Sequence, residues 1–173
     1  MQPDQASAVL EFLLPAIERE HATTVKVLSV VPPETLDYKP SEKCTNAGDL
    51  AWHLASSEQY FMKGVTEGEF PKGITRPESV KTPADIVAWY EAQSAANHAR
   101  LKALSGEDLT RTVMFHGGVG MPAIAFLQLM LTHSAHHRGQ LSAYLRPMGA
   151  KVPSIYGPSA DEDPFAESKQ ASA

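Results

Sequence analysis

Cysteine is nearly absent from this sequence. Cys44 is the single one, so no internal disulfide can form and the chain suits a reducing compartment. Long apolar runs are missing as well: no stretch reaches the ~18 residues a spanning helix needs, and Glu11 interrupts the apolar residues 8–14. No Lys or Arg precedes that stretch, so the charged start of a secretory signal is not there. These absences lead us to expect a cytoplasmic protein without membrane association. Basic clusters are lacking too. Lys and Arg number 15 against 20 Asp and Glu, for a net charge of −5, which excludes the electrostatic footprint of a nucleic-acid binder. No segment sustains period-two alternation, which argues against a sheet, with a short extended piece or hairpin near 110–118 as the one exception. There is no internal repeat.

What is present is a chain of 173 residues, 43% hydrophobic and 20% charged, enough for one domain with a sizeable core. Four helix-length segments stand between Pro- and Gly-rich stretches. The first covers about residues 5–30. Its Pro15 either opens the helix proper after a short lead-in or kinks one long helix, and Pro32-Pro33 stops it. Residues 32–44 form a connection in which Leu36 and Tyr38 pack on the bundle. The second helix begins at Thr45 or Asn46, with Asp49 in its first turn, and ends near Thr66. A loop then runs through residue 81. Thr82-Pro83-Ala84-Asp85 opens the third helix with an N-cap, a first-turn proline and an acid, and Ile86, Trp89, Tyr90, Leu101 and Leu104 supply its apolar stripe. Gly120-Met121-Pro122 announces the fourth, which Pro147 and Gly149 end after Leu145. The expected fold is all-α, a mostly antiparallel four-helix bundle with one longer crossover. Residues 1–157 form its domain, and 158–173 form a polar, mobile C-terminal tail on which Phe165 alone offers a docking group.

Seven histidines occur, and their helix positions sort them. His133 and His137 are one turn apart on one face. At ~100° per residue, Phe126, Leu129, Met130, Gln140, Leu141 and Tyr144 share that face. Leu50, Ser57, Tyr60, Phe61 and Gly64 surround His53 in the same way. All three imidazoles are therefore expected to point inward, where an unpartnered ring is costly. A shared metal ion removes that cost. The alternative is three hydrogen-bonded core histidines, and spacing alone does not choose between them. His136 lies roughly 60° from His133 and 100° from His137, which assigns it to the pocket rim or to a neighbouring helix. His21, His98 and His116 have no spacing partner and are read as surface or capping residues.

Around His53, TNAGDLAWHLASSEQYFMKGVTEGEF, and around the pair, LTHSAHHRGQLSAYLRPMGAKVPSIYG, resemble the DinB-like (DinB/YfiT) superfamily of bacterial four-helix proteins. HHRGQL is the most specific part, and YKP before the second helix also fits. The resemblance spans roughly residues 10–156. It implies that His53, His133 and His137 hold one divalent metal ion, and it implies a homodimer. It also implies either a metal-dependent transferase, or hydrolase-like enzyme, acting with a low-molecular-weight bacterial thiol, or a non-catalytic, metal-stabilised stress-response or ligand-binding protein.

Three neutral histidines leave an ion its full charge and an open coordination position, as at catalytic sites. Imidazole ligands favour zinc first, with nickel, iron or manganese as alternatives, over magnesium or calcium. Asp49, one turn before His53, either approaches the ion or serves as a first-turn acid, and we prefer the second. Ser57, Tyr60, His136 and Gln140 are pocket or supporting residues. Arg138 points away from the histidines and is expected in a bundle or dimer salt bridge. Cys44 has no base beside it, and His116-Gly-Gly-Val-Gly lacks the Lys and Ser/Thr of a phosphate loop, leaving it a flexible turn.

Overall fold

The computed structural model describes residues 1–166. Four long helices, α1 (Pro3–Leu28), α2 (Ala47–Glu67), α3 (Pro83–Lys102) and α5 (Ala123–Leu145), are joined by a one-turn helix α4 (Gly106–Thr110) and a hairpin of β1 (Thr112–Met114) and β2 (Gly120–Pro122). The expected N-terminal signals act as read. Asn46 accepts from the Asp49 N–H at 2.8 Å, and Thr82 and Asp85 form a reciprocal capping box. α1 runs unbroken through Pro15, whose ring lies on the exposed face. The backbone carbonyl it leaves unpaired can therefore be hydrated. β1 and β2 pair antiparallel in the region expected to hold a hairpin. Gly120–Pro122 is strand, so the last helix starts at Ala123. The Ala123 N–H, which α5 itself cannot satisfy, donates to the Arg111 carbonyl at 2.9 Å.

Helix α2 packs on α5 and α3, and α1 packs on the same two. Two clusters of buried apolar residues fix the directions. One joins Leu10 and Leu13 of α1 to Met62 and Val65 of α2, Leu101 of α3 and Phe126 and Leu127 of α5. The other joins Val27 and Leu28 to Leu50 and Leu54, Ile86 and Tyr90, and Leu141 and Leu145. α1 and α5 therefore run one way and α2 and α3 the other. The α1–α3 and α2–α5 contacts are antiparallel, and the parallel α2–α3 pair requires a return crossing. Residues 68–82 make that crossing. They leave α2 at Gly68, whose φ of 79° is the left-handed conformation glycine adopts freely.

The crossing loop is anchored at both ends. Phe70 lies against Phe126 with ring centroids 4.9 Å apart, Arg76 sits 5.9 Å over the Trp52 ring, and Val80 is buried. Between these anchors the loop walls one side of α2. As expected, Leu36 and Tyr38 pack on the bundle, and Tyr38 meets Tyr144 edge-on at 5.7 Å. No helix among the described residues is long and apolar enough to cross a membrane.

Residues 158–163 of the expected tail make specific contacts with the domain. Asp161 accepts from Arg146 at 2.9 Å and from the Val152 N–H at 3.0 Å, while Glu162 accepts from Lys26 at 2.6 Å and from the Ser154 N–H at 2.8 Å. The acids that marked this stretch as tail-like are the groups that fasten it. Phe165 remains 52% exposed, and residues 167–173 of the expected tail lie outside the described residues.

Candidate metal centre

Antiparallel packing of α2 on α5 brings His53 beside His133 and His137. One ligand atom from each lies within 4.8 Å of the others, and the His53 and His137 Nε2 atoms are 3.2 Å apart. Ligands ~2.0–2.1 Å from a tetrahedral zinc ion lie ~3.3 Å apart, so this pair already has the spacing of a shared ion. His137 Nδ1 lies 3.1 Å from Gln140 Oε1. An amide oxygen only accepts, which places the proton on Nδ1 and the lone pair on Nε2. Gln140 in turn donates to the Tyr144 hydroxyl at 3.4 Å. His133 Nδ1 is buried with no hydrogen-bond partner, so the protein alone leaves this ring unsatisfied.

Electrostatics keep the rings neutral. Burial is the larger cause for His133, and the neighbouring His137, His53 and His136 add to it, lowering its pKa to about 4. Burial and His137 lower His53. Burial also lowers His137, with Gln140 acting against it and His136 with it. Three neutral imidazoles converging on one point are a suitable donor set for a borderline-soft divalent ion.

The expectation that all three point into the core needs correction. His53 is exposed, and His133 and His137 are half-buried. The buried part of their face is the stripe of Phe126, Met130 and Leu141. The histidines sit at its edge, where the crossing loop and the hairpin open a cleft of about 460 Å³. His53 and His133 line this cleft, with Trp52, Phe61 and Phe115 as apolar walls and Lys72 at the rim. A larger apolar cleft of about 590 Å³ around Val31 and Val87 contains no histidine. The smaller cleft is the candidate site, because two of the three donors, His53 and His133, line it.

The DinB superfamily model matches residues 16–141. The chain belongs to the DinB superfamily. The Bacillus subtilis protein YrdA is 27% identical over 158 residues, covering 88% of this chain and 91% of its own. The B. subtilis protein YjoA is 30% identical over 114 residues, covering 65% and 73%. Among solved structures, a DinB-like protein from Bacillus cereus aligns with a TM-score of 0.72 at 28% identity, covering 84% of this chain and 97% of that one. The mycothiol-dependent maleylpyruvate isomerase aligns with a TM-score of 0.57 at 19% identity, covering 76% and 60%, a likeness of fold.

Within this DinB chain the other expected residues separate. Asp49 is exposed, and its carboxylate accepts from Asn46 Nδ2 at 2.8 Å. It serves the helix start and lies outside the histidine set. Ser57 lines the cleft and donates its hydroxyl to the His53 carbonyl. His136 is exposed, its ring 4.8 Å from that of His137. Arg138, expected in a salt bridge, is fully buried against Glu20, Thr24 and Tyr156.

Of the three histidines read as surface or capping residues, His21 and His98 are placed differently, while His116 is exposed as read. His21 stacks on buried Tyr90 at 4.3 Å, with Nδ1 3.5 Å from the buried Glu58 carboxylate. His98 is half-buried, with Nε2 fully covered. His116 joins the cleft, its Nε2 2.7 Å from the Tyr60 hydroxyl. The sequence held no periodic signal for His116, because it lies in a hairpin turn. Its one local mark was the pair of glycines that follow.

Proposed function

We propose that this DinB protein holds one divalent metal ion, zinc first, on His53, His133 and His137, and uses the site to transfer a low-molecular-weight thiol to an electrophile. The observation that carries the reading is the 3.2 Å separation of the His53 and His137 Nε2 atoms, with His133 completing the set, beside an open cleft that His53 and His133 line. When bound, the ion would supply Lewis acidity that moves the pKa of a thiol or water toward neutrality. Gln140 holds His137 in the tautomer that presents Nε2. Trp52, Phe61 and Phe115 exclude water from the apolar part of a ligand, and Lys72 at the rim favours an anionic group. The thiol is the part of the reading that leans on the fold shared with the mycothiol-dependent isomerase.

Elemental analysis of the purified protein beside a His133→Ala, His137→Ala double variant tests the metal, and about one ion per chain should be lost. Equal metal content in the two would refute the assignment. Cobalt-substituted protein mixed with several low-molecular-weight thiols and a chromogenic electrophile tests the chemistry. A spectrum that no thiol perturbs, together with no turnover, removes the transferase.

The placement of the ligands on two helices supports a second reading, in which the ion mainly staples α2 to α5. Metal removal would then lower the melting temperature while abolishing no activity. Identical melting of the metal-free and loaded proteins would exclude it.

A further inference from the structure

The β1–β2 hairpin turns through His116-Gly117-Gly118, with φ of 72° and 78° at the two glycines, a backbone that other residues enter at a cost. This turn carries His116 to the cleft that His53 and His133 also line. There its ring lies nearly parallel to that of Tyr60, at 14°, with the 2.7 Å contact between Nε2 and the hydroxyl. Tyr60 is half-buried and His116 exposed, so the pair leads from the cleft to bulk water. Phe70 also stacks on Tyr60, with ring centroids 4.9 Å apart, and burial raises the Tyr60 pKa, which keeps the hydroxyl protonated, so that it donates to Nε2 when the His116 proton is on Nδ1. Besides Tyr60 and His116 themselves, the charged and titratable side chains around the cleft are Lys72, His53 and His133. No carboxylate among the described residues lines it, so no acidic side chain competes for a proton released there.

We propose that Tyr60 and His116 form a proton-transfer pair for the ligand held at the histidine cluster, accepting the proton of an incoming thiol. This rests on the reading that the ligand is a thiol. In the step, the thiol S–H bond breaks and sulfur keeps the electron pair. The Tyr60 oxygen takes the proton as its own passes to His116 Nε2, and the resulting imidazolium offsets the new thiolate charge. The imidazolium then loses a proton to water from its exposed side, and exchange of the remaining proton from Nε2 to Nδ1 through solvent restores the neutral pair. Tyr60 touches the ligand in this scheme, and His116 acts through Tyr60.

The test is the rate at which 2-mercaptoethanol changes the visible spectrum of cobalt-loaded protein, followed by stopped flow in the wild type, Tyr60→Phe and His116→Ala. All three should bind cobalt equally. The thiol-dependent rate should fall by about 10²-fold in each variant, the lower range for general acid–base assistance. Added imidazole should restore part of the rate in His116→Ala and none in Tyr60→Phe. Wild-type rates in both variants would overturn the pair while leaving the thiol reading intact, and so would loss of cobalt in either variant. A wild-type spectrum that the thiol never perturbs would overturn both.

Discussion

His53 Nε2 and His137 Nε2 stand 3.2 Å apart although 84 residues separate them along the chain. The up-down-down-up order makes this possible: α2 runs against α5, so a residue in the first half of α2 meets the second half of α5. Gln140, one turn beyond His137, fixes which nitrogen of that ring faces the contact.

The Gln140 contact predicts a graded effect. Gln140→Leu keeps the volume and removes the acceptor from His137 Nδ1, so the ring is free to turn and to change tautomer. Loss of such a supporting hydrogen bond commonly costs ~10–100-fold in metal affinity. Competition against a chromogenic chelator should show a loss in that range, with the fold unchanged by circular dichroism. An affinity equal to wild type would mean that packing alone orients His137.

Arg138 offers a prediction about stability. Its side chain is fully buried and pairs with Glu20, which is itself 23% exposed, while Thr24 and Tyr156 take further hydrogen bonds. Arg138→Leu leaves the Glu20 carboxylate without its cation. Removing one partner of a buried pair costs about 3–5 kcal/mol, and the exposure of Glu20 sets the lower end as the expectation. Urea denaturation should show a lower midpoint at unchanged slope. Arg138→Lys should recover little, because one ammonium cannot reproduce the fork that reaches Glu20, Thr24 and Tyr156.

Much of this was legible in the sequence, because helix starts and helix faces are local. The capping residues Asn46 and Thr82, the stop at Pro32-Pro33 and the shared face of His133 and His137 follow from spacing alone. Depth within the bundle does not. Whether a helix face is core or cleft wall depends on what crosses it, and residues 68–82 cross α2 in a way no periodicity encodes. The same holds for Glu58, whose burial depends on Tyr90 and His21 from two other helices. His116 reaches Tyr60 across 56 residues of chain. Asp161 and Glu162 take their partners, Arg146 and Lys26, from 15 and 136 residues away along the chain.

Gly64 should not tolerate a methyl group. A Cβ there would lie 2.3 Å from the Phe70 ring, and Phe70 cannot swing away easily because Tyr60, Phe115 and Phe126 surround it. Overpacking of this kind costs about 1–3 kcal/mol. Gly64→Ala should lower the denaturation midpoint accordingly and displace the crossing loop from the cleft. Gly64→Ala combined with Phe70→Leu should regain part of the loss, and an undiminished midpoint in the single variant would show that the loop yields freely.

The metal-free protein should lose stability as the pH falls, and His133 supplies a specific window. Its pKa in the fold is about 4, against 6.5 as its ordinary value. Between those values the unfolded chain binds a proton that the folded chain refuses, so stability rises with pH across the interval. The contribution is complete above 6.5 and is lost as the pH falls toward 4. The lowered His53 and His137 act in the same direction. Melting temperatures of the metal-free wild type and of His133→Leu, taken at about pH 7 and about pH 5, separate this contribution from the other histidines. The wild type should fall further between the two conditions than the variant. Parallel losses would mean that His133 protonates as readily in the fold as in the open chain, and the neutral donor set inferred for the cluster would then lack its most perturbed member.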